Sequence, residues 1–140
     1  MTITKPKTGC APIPCGSCPY RRDVPSGIWS TEEYAKLPAY DRPTQEQPPH
    51  LFMCHQQNDS LCTGWVQSHA DRPHAFDLLA LRFPSNIDTH QVSKVAMSEP
   101  LVRLFRTGRA AMLHGMRAIK RPGKRAKEMM AAILKKRAAT

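Results

Sequence analysis

The chain has 140 residues, thirteen of them proline, with 6% aromatic residues and a formal net charge of +10. That length suits one domain with a lean core, which a metal staple would help to hold. The opening "MTITKPKTGCAPIP" lacks the apolar region of a signal peptide, and no run of about 18 apolar residues offers a transmembrane segment, so a soluble, cytoplasmic protein is expected.

Residues 1–14 contain Pro and Lys without periodicity and read as a flexible arm. A cysteine pair follows in "PCGSCPYRRD", residues 14–23. In "SGIWSTEEYAKLP", Ser30 and Glu33 match a capping box, with Trp29 and Tyr34 placed for a hydrophobic staple. This predicts a short helix from Thr31 to Leu37 that Pro38 ends. "PAYDRPTQEQPPH" is a polar, Pro-rich loop. "LFMC" reads as a buried strand. "DSLCTGWVQSHA" reads as a helix capped by Asp59 or Ser60, with Cys62 in its first turn. "PHAFDLLALRF" opens with Pro at a helix-entry position.

Ser98 is placed to cap a further helix, in which Leu101, Leu104, Phe105, Met112 and Ile119 share a face. Arg103, Arg106, Arg109 and Arg117 lie largely elsewhere around it. "RPG" at 121–123 breaks that helix. A last one, from Lys124 to Ala138, places Met129, Met130, Ile133 and Leu134 in one apolar sector. The expected architecture is mostly α: a small, loop-rich cysteine domain over residues 15–97, then a basic amphipathic helical segment over 98–140. Charge follows the same division. Residues 101–140 hold twelve Lys and Arg against Glu128 alone, a net of +11, whereas residues 1–100 have a net of −1.

Five cysteines in a reducing compartment point to thiolate ligands or free thiols rather than disulfides. A C-x2-C turn presents Cys15 and Cys18 to one ion. Cys54 ends an apolar run. Cys62 starts a helix, whose N-terminal dipole favours a thiolate. These four form the expected ligand set. An iron–sulfur cluster of the 4Fe–4S type suits the irregular spacing and the Pro after Cys18. Zinc is the alternative, either with the four cysteines or with three and His55. The plainer reading is that all four are buried thiols acting as small hydrophobes. Cys10, in the arm, reads as a spare thiol. A redox C-x2-C pair would need a βαβ setting that is not seen.

The segments "PCGSCPYRRD", "LFMCHQQ", "LCTGW" and "PLVRLFRTGRAAMLHG", in this order, resemble a family of small proteins of unknown function from actinobacteria and their phages. The resemblance covers residues 14–116 and implies a Cys/His-rich core with no assigned activity. "CGSCPYR" and "SGIW" also resemble the WhiB-type iron–sulfur transcription regulators. The chain departs from their pattern, because no third Cys follows at short spacing. That likeness implies an iron–sulfur centre and a role in transcription.

Among six histidines, only His55 adjoins an expected ligand. His69, Asp71 and His74 would suit a second metal site, but a solvated turn explains them as well. Arg21 and Arg22 are placed to stabilise thiolates or bind phosphate, or they are a solvated pair. No nucleotide-binding or zinc-protease fingerprint is present and the carboxylates are scattered, so an enzyme is not favoured.

The tail combines basic and apolar residues. It reads as a surface for nucleic acid formed by Arg117, Lys120, Arg121, Lys124, Arg125, Lys127, Lys135, Lys136 and Arg137. A membrane-surface helix is weakened by the lack of Trp and Tyr on its apolar side. The expected function is a metal-binding protein acting on nucleic acid or on RNA polymerase-type machinery, as a phage or actinobacterial regulator. One alternative is an iron–sulfur redox enzyme or electron-transfer protein. Another is a protein-interaction module that uses the Met-rich helix.

Overall fold

The structure is a computed structural model that describes residues 7–56, 59–70, 78–82 and 86–138. It is mostly helical. In chain order come α1 (Thr31–Ala35), two 3-10 turns (Leu37–Asp41 and Thr44–Glu46), α2 (Thr63–His69), α3 (Leu79–Arg82), α4 (Thr89–Met97), α5 (Gly108–Met116) and α6 (Lys124–Ala138). Among the described residues, no helix is long and apolar enough to cross a membrane.

Three helix starts follow from side-chain capping. Ser30 accepts the Glu33 amide at the head of α1, Asp88 the Gln91 amide at α4, and Thr107 the Ala110 amide at α5. Tyr34 does more than the staple its spacing suggests: its hydroxyl accepts the amides of Ile28 and Trp29, fixing how the chain enters α1. Gly27, at φ 84°, makes the bend before that entry. Its amide donates to the Gly115 carbonyl at 2.8 Å, and a Cβ there would lie 2.8 Å from the Ala118 carbonyl oxygen.

The main core gathers Tyr20, Leu37, Leu61, Trp65, Val66, Leu78 and Val92, all essentially inaccessible to solvent. Each such side chain contributes about 1.5–3 kcal/mol by leaving water. α2 packs on α4, while α5 packs on α1 and on the first 3-10 turn. A smaller cluster of Val24, Ile28, Ala126 and Ile133 seats α6 on the chain that leads away from Cys18.

Three local expectations change here. Residues 51–54 make no strand: Met53 forms one antiparallel bridge to Leu61, because the chain turns into α2 straight afterwards. The helix expected from Ser98 starts only at Gly108. Residues 103–105 are drawn instead into pairing with the cysteine turn: the Arg22 amide donates to the Arg103 carbonyl at 3.0 Å and the Phe105 amide to the Tyr20 carbonyl at 2.8 Å. Ser98 ends α4 rather than starting a helix. From Thr8, the segment read as an arm is held by backbone bonds: Thr8 to Asn86, Asp88 to Thr8, and Leu61 to Gly9. The start of the "PHAFDLLALRF" helix lies outside the described residues; α3 is its described part.

Candidate metal centre

The C-x2-C segment is two consecutive turns. The Cys18 amide donates to the Cys15 carbonyl at 3.1 Å and the Arg21 amide to the Cys18 carbonyl at 3.0 Å. Arg21 locks the turn from outside: its guanidinium grips Asp23 at 2.8 and 2.7 Å and donates to the Pro14 carbonyl at 3.1 Å. Arg22 lies 5.3 Å from the centroid of the Phe105 ring and donates to the Leu104 carbonyl. Both arginines therefore have structural partners.

The second cysteine pair comes from a short ladder. The Cys54 amide donates to the Ser60 carbonyl and the Cys62 amide to the Phe52 carbonyl, each at 2.8 Å. Cys62 is the N-cap residue of α2, so the helix starts later than a cap at Asp59 or Ser60 would give and Cys62 precedes its first turn. The reason is that the chain from Ser60 to Cys62 is held extended by bonds to Cys54, Gly9 and Phe52. The Trp65 amide faces its sulfur without closing a cap hydrogen bond.

Four thiols meet in two pairs. The sulfurs of Cys18 and Cys62 are 3.7 Å apart and buried, and Cys54 is the neighbour that acts most strongly on the Cys15 thiol. Burial pushes Cys18 up, but the Cys62 thiol and the amides of Tyr20 and Gly64 outweigh it and favour the Cys18 thiolate. Cys62 is raised, first by donating to Cys18, then by burial and the Cys18 charge. Cys15 is raised chiefly by its bond to Cys54 and by burial. Cys15 also senses the charges of Cys18 and Cys54, Cys18 that of Cys54, and Cys62 that of Cys15. Amides aimed at sulfur are the outer support that thiolate metal sites use. As placed, among the described residues, no three His, Cys, Asp or Glu side chains form a group that would hold a metal ion.

Gly64 makes the pairing possible. A Cβ at this position would run into the Cys18 sulfur and come 3.0 Å from the Tyr20 Cβ. Ser17, wholly buried between the paired cysteines, is the hub of the loop. Its hydroxyl lies 3.8 Å from the Cys15 sulfur and accepts from Gln56 Nε2 at 2.5 Å, and its carbonyl accepts from Trp29 Nε1 at 2.9 Å. Neither role shows in spacing alone. The visible signals are the small residue two places after Cys62 and the hydroxyl inside the C-x2-C turn.

His55 follows Cys54 directly and is held on one side only. Its Nε2 is 2.8 Å from Glu33, its ring centroid 4.5 Å from that of Trp29, and its Nδ1 is buried without a partner. His69 bridges the Trp65 carbonyl and Asp41. Asp71 and His74 lie outside the described residues. Cys10 is bracketed by Gln91, which accepts from its amide and donates to its carbonyl. Burial pushes its thiol up to about 11.

All nine cations read as a nucleic-acid surface are exposed, as are Arg103, Arg106 and Arg109. Three of the nine also hold α6 in place. Arg125 donates to the Asp23 carbonyl, Lys136 to Gln56 and Arg137 to the His55 carbonyl.

A family described as "Family of unknown function (DUF6283)" matches residues 10–137, a span that includes the four paired thiols and nearly all of α6. No curated protein matches the chain, and no solved structure does.

Proposed function

The chain belongs to the family of unknown function DUF6283, and we propose that it is a small metal-stapled module that binds nucleic acid. Cys15, Cys18, Cys54 and Cys62 are the ligands of one metal ion. The observation that carries this reading is the pairing of four thiols from two loops, with backbone amides turned toward the sulfurs. Metal binding would draw the two pairs together and release the shared thiol protons. Ligation free energy then adds to the stability of a lean fold.

The 3.7 Å separation of Cys18 and Cys62 supports a mononuclear ion. Two thiolates on tetrahedral zinc, each at about 2.3 Å, stand about 3.8 Å apart. In a 4Fe–4S cluster each thiolate sits on its own iron, which needs a wider opening. The cluster is the second reading, favoured by Pro19 after Cys18 and by the resemblance to WhiB-type regulators. With it comes the redox or electron-transfer alternative. A brown, oxygen-sensitive preparation supports the cluster, and a colourless one with zinc supports the staple.

The nucleic-acid half of the reading rests on twelve exposed cations between residues 101 and 138, against Glu128 as the single acid. Cations this dense repel one another unless a polyanion screens them. The same surface would serve RNA polymerase-type machinery, and the resemblance to actinobacterial and phage proteins supports a regulatory setting. Titration of the full chain with duplex DNA at several salt concentrations tests this half. Affinity that does not fall with salt would remove it.

A further inference from the structure

We infer that the thiol centre gates the basic surface: metal occupancy decides whether α6 is seated. This rests on both halves of the proposed function and adds the link between them.

α6 stands on two short segments that run directly from the cysteines. Its buried residues, Ala126 and Ile133, pack on Val24 and Ile28, just beyond the Cys18 turn. Arg125 donates to the Asp23 carbonyl at 3.3 Å in that same segment. At its other end, Lys136 donates to Gln56 Oε1 at 3.3 Å and Arg137 to the His55 carbonyl at 3.0 Å, the two residues after Cys54. The Arg137 guanidinium also sits 5.6 Å from the centroid of a Trp29 ring.

These two footings are joined at Ser17. Gln56 donates to the Ser17 hydroxyl, Trp29 donates to the Ser17 carbonyl, and the hydroxyl lies 3.8 Å from the Cys15 sulfur. A hydrogen-bonded path therefore leads from Cys15 through Ser17 and Gln56 to Lys136. Apart from these footings the helix is held by a small apolar seam: two of its fifteen residues are buried, and Met129 and Met130 pack half-buried beside them.

An ion on Cys15, Cys18 and Cys54 cross-links the two footings and fixes the geometry of Ser17 and Gln56. α6 is then held at both ends, and its cations form one rigid array. Losing the ion frees the footings to move apart. Lys136 and Arg137 lose their acceptors, and the array becomes a frayed helix with weaker grip on a phosphate backbone.

The test is hydrogen exchange on the full chain, metal-loaded and after chelation, with metal content and duplex DNA affinity measured on the same samples. Chelation should speed exchange of the amides of residues 124–138 about tenfold or more, while α2 and α4 keep their protection. DNA affinity should fall in step. Gln56→Ala should keep full metal content, since Gln56 is not a ligand, yet show fast exchange in α6 with metal bound. A chain that loses its metal while α6 stays protected would overturn the gating and leave the metal site standing. So would a metal-loaded Gln56→Ala with a protected α6. A chain that binds no metal would overturn the metal reading and the gating together.

Discussion

The sulfur of Cys18 lies 3.7 Å from that of Cys62, a residue 44 positions further along the chain, with Gly64 leaving the space that lets them meet. The contact joins a turn that is rigid in itself to the N-terminus of α2. From there the core residues Trp65 and Val66 follow directly. The thiol centre and the hydrophobic core are thus continuous.

Gly64→Ala tests that continuity without touching a sulfur. The new methyl would collide with Cys18 and crowd Tyr20, and crowding a packed interior typically costs about 1–3 kcal/mol. The variant should melt earlier and hold less metal. Gly16→Ala is the control, because a Cβ there meets nothing within 4 Å. It should behave as wild type in both respects. Equal behaviour of the two variants would mean that Gly64 does not set the Cys18 position.

The pH dependence of stability has a defined contributor in Asp41. Burial pushes its carboxyl up, but hydrogen bonds from His69 and from the amides of Gly108 and Arg109 outweigh burial and hold it below the usual range. A carboxyl depressed on folding contributes stability above its unfolded pKa and loses it as pH falls through the folded one. Asp41→Asn should therefore cost about 1 kcal/mol at neutral pH, with the gap to wild type closing from about pH 4 downward. Asp23 and Glu33 are also depressed, so the difference between the two proteins is the quantity to follow. A gap that stays constant into acid would remove Asp41 from the account.

Replacing Lys120, Arg121, Lys124 and Lys127 together by Gln should leave fold and metal content unchanged, since all four are exposed. Duplex DNA binding should weaken, and the slope of log affinity against log salt should become shallower by about 0.9 for each phosphate no longer neutralised. Deleting residues 121–140 is a poorer test, because it also uncovers Val24 and Ile28. An unchanged slope in the quadruple variant would place any polyanion site away from the start of α6.

What the sequence shows and what it hides follow from the range of the forces involved. The bounds of α6 are legible because Pro122 and Gly123 break the chain just before Lys124, and the α1 cap because Ser30 and Glu33 are three residues apart. α4 is equally local, signalled by Asp88 capping the Gln91 amide, but its polar composition conceals it. Residues 101–107 have helical periodicity and are not helical. Their backbone pairs with Tyr20 and Arg22 some eighty positions away, and tertiary pairing overrides a weak local preference. The C-x2-C spacing places Cys15 and Cys18 on one turn, but nothing local says that Cys62 faces Cys18 or that Gln56 reaches Ser17. Those contacts depend on how α2 packs. The contact of His55 Nε2 with Glu33 on α1 is equally non-local, and spacing does not show it.

The measurement that bears most directly on the central claim is the metal content per chain of anaerobically purified protein, beside the five single Cys→Ser variants. The account predicts one metal centre per chain in the wild type and in Cys10→Ser. It predicts loss of metal, with a stability loss on the order of 3 kcal/mol, for Ser at Cys15, Cys18, Cys54 or Cys62. Full metal content in all five variants, or none in the wild type, would contradict it.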